Sequence, residues 1–265
     1  TRVDRLPRYD GETALLVAQG RGILAEAPKI KAADNGMDLS FGLNLDDGGN
    51  ISGELEALFR GDYERGFRRS FKDISDRKAK QRVESVVSNL GEGKLRGEDP
   101  YSIGNLDDFR DSPSLSVDFE SEDFAFIQDE MMIFNFPENP FGFAGTEVPT
   151  SLDEREEPLV LDAPFSENYS FRLRVPEGYR VVWVSEPMDL ENRIGEMHVS
   201  SSTSEDLVVY DVSLKVEDTW IEPEEYESAK ELFRSYMAPK NRMVLLERKK
   251  VPETKEEDTP QEGEE

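Results

Sequence analysis

Few side chains in this sequence could do covalent chemistry. There is one histidine, His198, and no cysteine. The missing thiols remove cysteine catalysis, disulfides, thiolate zinc sites and iron–sulfur clusters together. His198 lies in Met197-His198-Val199, inside a strand pattern. A zinc site would need further strong ligands, and no other His or Cys exists. A Ser-His-Asp arrangement needs a presented serine, and no Gly-x-Ser-x-Gly elbow frames one; His198 therefore reads as structural. Asp46-Asp47-Gly48-Gly49-Asn50 has the residue types of a calcium loop but not its Asp-x-Asp-x-Asp-Gly register or distant Glu, and hairpin turns use the same residues for conformational reasons. Gly20-Arg21-Gly22 and Gly91-Glu92-Gly93 have neither a P-loop lysine nor a dinucleotide fingerprint. Glycoside hydrolysis needs only two carboxylates roughly 5–10 Å apart, and 58 acids offer too many pairs for the sequence to select one. The residues point to no catalytic group, no metal and no cofactor, which leaves binding as the chemistry to look for.

The chain has 265 residues, with 58 acids against 32 Lys plus Arg and a formal net charge of −26. That excess repels nucleic acid and anionic membrane surfaces. Its 15 Phe, 8 Tyr and 2 Trp supply the bulk for a packed core, which a disordered chain would lack. No stretch approaches the roughly 20 apolar residues of a membrane span. Lysine is the scarcer base, 12 against 20 Arg, and acid-rich, lysine-poor surfaces suit high salt, where screening weakens self-repulsion. Thr1-Arg2-Val3-Asp4 offers neither an initiator Met nor the parts of a signal peptide, so the chain is expected to begin inside a longer protein or after processing.

The elements that would position a site follow from periodicity. Met37, Leu39, Phe41, Leu43 and Leu45 alternate with polar residues, and so do Ile51, Gly53, Leu55, Ala57 and Phe59 on the far side of the Asp46–Asn50 turn, which predicts a hairpin over 37–60. Tyr63, Phe67, Phe71 and Ile74, then Ala79, Val83, Val86, Val87 and Leu90, carry helical spacing and predict a helical pair over 61–90, with Ser75 as cap and Gly91 as the left-handed stop. From Arg60 to Arg82 nine bases face four acids, a cationic island that reads as a solvated helix face. Residues 91–113 read as a loop. Strand patterns resume at Leu115–Phe119, Phe124–Ile127 and Met131–Phe136, then at Tyr169–Val175, Tyr179–Val184, Gly195–Ser200 and Leu207–Val216. In the last of these Leu207/Val209 and Val212/Leu214/Val216 are out of phase, which predicts a β-bulge near Tyr210. Pro223 opens a helix over 223–237, and Met243–Leu246 closes as a strand. Residues 251–265 hold seven acids and one Lys and are expected to be a disordered tail.

The succession Thr13-Ala14-Leu15-Leu16-Val17, Gly53-Glu54-Leu55-Glu56-Ala57, Glu157-Pro158-Leu159-Val160-Leu161-Asp162-Ala163-Pro164-Phe165, Tyr169-Ser170-Phe171 and Leu173-Arg174-Val175-Pro176-Glu177-Gly178-Tyr179, ending in Val244-Leu245-Leu246, resembles the C-terminal region of bacterial transglutaminase-like proteins. Those are secreted or periplasmic chains with a papain-like core between β-rich domains of unknown function. The resemblance covers about residues 5–248. It implies that the Cys-His-Asp core would lie upstream, that no catalytic residue carries over, and that this region is a non-catalytic accessory, scaffold or binding part. Its partners would be the upstream catalytic domain, another envelope protein or a cell-wall polymer, and its location periplasmic or extracellular.

The expected fold is mostly β, α+β in the minor part: two packed antiparallel, sandwich-like units. The first, 1–150, holds the hairpin and helical pair; the second, 151–250, holds the late helix. Phe141, Phe143 and Trp220 are the candidate contact residues, with core packing as the rival reading of each. A free-standing glycan- or peptide-binding module and a carboxylate-pair hydrolase are the alternatives.

Overall fold

The computed structural model describes residues 13–18, 21–26, 29–142 and 152–249, so Phe143 and the acidic segment 251–265 lie outside the described residues. The first described elements are the strands β1 (Thr13–Ala18) and β2 (Arg21–Glu26), which among the described residues pair with each other. The predicted hairpin follows as β3 (Gly36–Leu45) and β4 (Ile51–Arg60), in antiparallel register from Gly36↔Arg60 to Leu45↔Ile51. Its turn is built by Asp46. Oδ1 accepts the backbone N–H groups of Gly48 (2.9 Å) and Asn50 (2.8 Å), and Oδ2 accepts the Asn50 side-chain amide (2.9 Å). Burial pushes the Asp46 pKa up, but these hydrogen bonds together outweigh it and hold the carboxyl below its usual value. The calcium-like residues are thus spent on the turn.

Gly61, at φ +62°, lets β4 turn straight into α1 (Gly61–Phe71), followed by α2 (Asp76–Ser88). Gly91 stands at φ +79°, two residues past the Asn89 cap of the second helix and so one beyond the C′ position expected for it. Residues 91–113 depart from the expected loop: they contain β5 (Lys94–Leu95) and β6 (Tyr101–Gly104), both paired with β7 (Ser114–Ser121). Neither is long enough for an alternating pattern to register in the sequence. Then come β8 (Phe126–Gln128) and β9 (Met131–Asn135).

Past residue 152 the chain forms β10 (Leu159–Val160), β11 (Phe165–Arg174), β12 (Tyr179–Val184), β13 (Met188–Glu191), β14 (Gly195–Thr203), β15 (Leu207–Val216) and β16 (Trp220–Ile221). A 3₁₀ turn at Pro223–Glu225, closed by a reciprocal Glu222–Glu225 capping box, leads into α3 (Tyr226–Met237), and β17 (Met243–Arg248) is last. The fold is mostly β, with three α-helices among the described residues. The predicted bulge in β15 is absent. Val208, Tyr210, Val212, Leu214 and Val216 all face the core in unbroken register with β11 and β14. Tyr210 belongs to the apolar set, and Leu207 and Val209 lie on the outer face. The irregularity sits in β12 instead, between Val181 and Trp183.

A nine-stranded sheet runs β13-β14-β15-β11-β3-β4-β7-β5, with β6 also on β7. A four-stranded sheet runs β12-β17-β9-β8. These orders correct two expectations. The large sheet is not purely antiparallel, because β3 and β11 pair in parallel from Gly36↔Ser166 to Asn44↔Arg174. The division at 150/151 is not a division between sheets, because β3–β11 and β9–β17 both join strands from its two sides. Parallel pairing between distant segments leaves no turn in the sequence to announce it.

One face of the large sheet is apolar. The small sheet, α1 and α3 all cover that face. Phe136, just past β9, stacks on Tyr210 (4.7 Å between centroids) and meets Phe171 (4.9 Å), which in turn stacks on Phe41 (4.7 Å). Phe67 of α1 stacks on Phe59 at 4.3 Å. Each such ring removed from water contributes about 1.5–3 kcal/mol, so this aromatic seam is a main reason the two sheets and helices hold together.

A polar sheet face as the candidate functional site

The opposite face of the large sheet is a different surface. Period-two alternation sends every second residue outward, and the register stacks these residues into rows that run across the strands. One row is His198, Ser213, Asn168, Asp38, Leu58 and Ser114; the next is Ser200, Asp211, Ser170, Ser40, Glu56 and Ser116. Six strands at about 4.8 Å spacing make a band of roughly 24 Å. The two rows line a depression of about 790 Å³, and no described element packs across it.

Its polar groups divide into two kinds. Asp38 is committed: Arg60 pairs with it, and the Asn168 side-chain amide donates to Oδ1 at 2.7 Å. Ser116 donates to Glu54 at 3.0 Å. The hydroxyls of Ser40, Ser170 and Ser213 and the carboxylates of Asp211 and Glu56 have no side-chain partner among the described residues. In the second row two free carboxylates therefore bracket two free serines. Backbone groups of the face are used up in the sheet ladders, so a ligand here meets side chains alone. Small hydroxyls and carboxylates on a broad floor suit a hydroxyl-rich ligand that both donates and accepts hydrogen bonds.

His198 is not a core residue. It stands exposed on β14 at the edge of this depression, with Nδ1 2.7 Å from Asp189 Oδ1 and Nε2 3.7 Å from Glu196. The hydrogen bond to Asp189, reinforced by the negative charge of Asp189 and Glu196, raises its pKa above the usual histidine value. Of the three candidate contact residues, Phe141 packs edge-on against Phe59 at 5.0 Å and belongs to the core margin. Trp220 is 54% exposed, directly opposite exposed Val160 in the β10–β16 pair, and its indole N–H donates to Glu222 at 2.9 Å. The structure does not gather Phe141 and Trp220 into one site.

Sequence reasoning missed the polar face. Its residues are ordinary outward positions of separate strands, and only the register brings them together. It also missed Glu167, a fully buried carboxylate in β11. Glu167 accepts the phenol O–H groups of Tyr63 from α1 (2.9 Å), Tyr236 from α3 (2.8 Å) and Tyr169. Burial first, and the neighbouring Glu167 charge, push the Tyr63, Tyr169 and Tyr236 pKa values above the ordinary phenol range. Such raised values keep the phenols neutral as donors, so the cluster pins two helices to the sheet rather than doing acid–base work. The cationic island behaves partly likewise. Arg68 is buried and holds the Asn105, Asp108 and Asp111 carbonyls and the Glu64 carboxylate. Among the described residues no group of His, Asp and Glu could hold a metal ion.

A family model described as a Domain of Unknown Function with solved-structure structure (DUF3858) matches residues 130–246. That span takes in β9 to β17 and leaves out β3, β4 and β7, half of the polar face. The crystal structure of a "putative protease" from Parabacteroides distasonis is similar to 45% of this chain, with a TM-score of 0.41 and 16% sequence identity. The chain spans 24% of that protein's length. No curated protein matches the chain.

Proposed function

We propose that this chain is a non-catalytic binding region of a larger, transglutaminase-like protein of the cell envelope, and that its polar sheet face holds a hydroxyl-rich polymer such as a cell-wall glycan. The observation that carries the reading is the pair of in-register rows in which Asp211, Ser170, Ser40 and Glu56 have no side-chain partner among the described residues, across the floor of an open depression. A peptide fits this face less well. Peptides commonly add to sheet edges through main-chain hydrogen bonds or seat side chains in apolar pockets, whereas here the ladders are closed and exposed Leu58 is the main apolar group. The compartment and the upstream core rest on the resemblance in sequence motifs.

The test is an NMR titration of the isotope-labelled chain with soluble peptidoglycan fragments. Backbone shifts should concentrate at Ser40, Ser170 and Asp211, and Ser40→Leu with Ser170→Leu should abolish them while the melting temperature holds. Shifts confined to the Trp220 indole would support the second reading, a free-standing module that stacks its ligand on the exposed Trp220–Val160 pair. No shift at either place would sink both.

A further inference from the structure

The second row of the polar face differs from its neighbours in charge. Among the described residues, the acids that these six strands bring to the adjoining rows each have a partner. Asp38 has Arg60, Glu196 has Lys215 at 3.3 Å, Asp118 has Arg96 at 3.5 Å, and Glu54 accepts the Ser116 hydroxyl. Asp211 and Glu56, in the second row, have no side-chain partner among those residues, and no described Lys or Arg lines the depression. The bases at its margins are spent, Arg60 on Asp38 and Lys215 on Glu196 and Glu217. Arg172 stands one row beyond, beside Val209 and Gly42, and pairs with neither acid. His198 at the rim lies against Asp189, with Glu196 at 3.7 Å. Three strand intervals separate Asp211 on β15 from Glu56 on β4, which sets their Cα atoms about 14 Å apart, with Ser170 and Ser40 between them. They are two separate charge sites at the ends of one hydroxyl-lined track, too far apart to share a metal ion.

We infer that the ligand of this face is a glycan bearing free amines, seated along the second row with one ammonium on Asp211, another on Glu56 and its hydroxyls over Ser170 and Ser40. The inference rests on the hydroxyl-rich-polymer reading above and narrows it. Hydrogen bonds from an ammonium to a carboxylate are charge-assisted and roughly twice as strong as neutral ones. A fully acylated glycan would take water from both carboxylates and return no charge. A glycan carrying carboxylates or phosphates would meet like charge at both ends of the row, in a chain of net charge −26. That net charge draws a cationic polymer to the surface as a whole; two unspent carboxylates in line with two hydroxyls give it a register.

Isothermal titration calorimetry of the full chain tests this with two probes, a β-linked glucosamine tetramer and its N-acetylated counterpart, in a buffer that keeps the glucosamine amines protonated. The amine tetramer should bind at least about tenfold more tightly than the acetylated one. Asp211→Asn and Glu56→Gln should each weaken it about tenfold, while the acetylated tetramer binds each variant as it binds the parent. Both substitutions fall on outward positions, so an unchanged melting temperature confirms that the fold is intact. Equal binding of the two tetramers, abolished by Ser40→Leu with Ser170→Leu, overturns the amine inference and leaves the hydroxyl-rich reading standing. Amine binding that survives Asp211→Asn with Glu56→Gln overturns it in favour of diffuse attraction to the acidic surface. Tighter binding of a uronic acid tetramer, lost in Arg172→Gln, overturns it in favour of the neighbouring row. If neither probe binds, the amine inference fails and the peptidoglycan titration judges the wider reading.

Discussion

At the scale of single residues, Glu167 is the position on which most depends. One buried carboxylate accepts hydrogen bonds from Tyr63, Tyr169 and Tyr236, and so ties α1, β11 and α3 at one point. Glu167→Leu leaves three phenol hydroxyls, two of them on buried residues, without that acceptor and should cost about 3 kcal/mol or more, while Glu167→Gln keeps one carbonyl and should cost about 1–2 kcal/mol. Urea unfolding of the two variants measures both. The phenol pKa values are raised on folding, so their contribution is complete below the unfolded tyrosine value near pH 10 and fades as pH climbs beyond it. Stability of the native chain should therefore fall steeply above about pH 10, and less steeply in Glu167→Leu. A native alkaline profile as shallow as the variant's would count against the cluster. Nothing in Ser166-Glu167-Asn168-Tyr169 marks Glu167 as buried, since an acid in an alternating strand is ordinarily an outward residue.

Elements explain how two distant stretches share a sheet. β3 and β11 run parallel, and their pairing begins where Gly36 lies against Ser166. A Cβ built on Gly36 would stand 1.8 Å from the Ser166 carbonyl oxygen, whereas one built on Gly42 in the same strand would meet nothing within 4 Å. Gly36→Ala should thus destabilise by about 1–3 kcal/mol or more through forced separation of the strands, and Gly42→Ala should fall within about 0.5 kcal/mol of the parent. Thermal melting of the pair decides it, and equal melting temperatures would show that the junction yields without cost. The hairpin β3–β4, the helical pair and the late helix were all legible, because each is local: alternation, a turn of Asp, Gly and Asn, a capping residue. The short strands β5 and β6 were not, because they exist only through β7.

For the whole molecule, the consequence of β3–β11 and β9–β17 is that neither half closes its own sheet. Residues 1–150 and 151–265, produced separately, should each lack a cooperative melting transition and dispersed amide resonances, whereas the intact chain should show both. A sharply melting 151–265 would restore the boundary expected at 150/151. The same two junctions bear on the match at residues 130–246, which includes both partners of β9–β17 but only one of β3–β11. The polar face is likewise a property of the whole, since His198, Ser213, Ser170, Ser40, Glu56 and Ser116 come from six strands spread from residue 36 to residue 216.

What the sequence determined by itself was the set of local elements and which face of each is apolar, because side-chain period and turn chemistry act over a few residues and need no partner. It also determined the scarcity of catalytic groups, since a missing cysteine or second histidine is a matter of composition. Only the tertiary structure decided which strands are neighbours. That choice turned scattered outward serines and acids into one floor, hid Glu167 among three phenols, placed Phe141 at the core margin, and left Trp220 exposed. Neighbourhood between distant strands is selected by the packing of the whole aromatic seam and by loop closure over more than a hundred residues, and no short stretch of sequence carries that information.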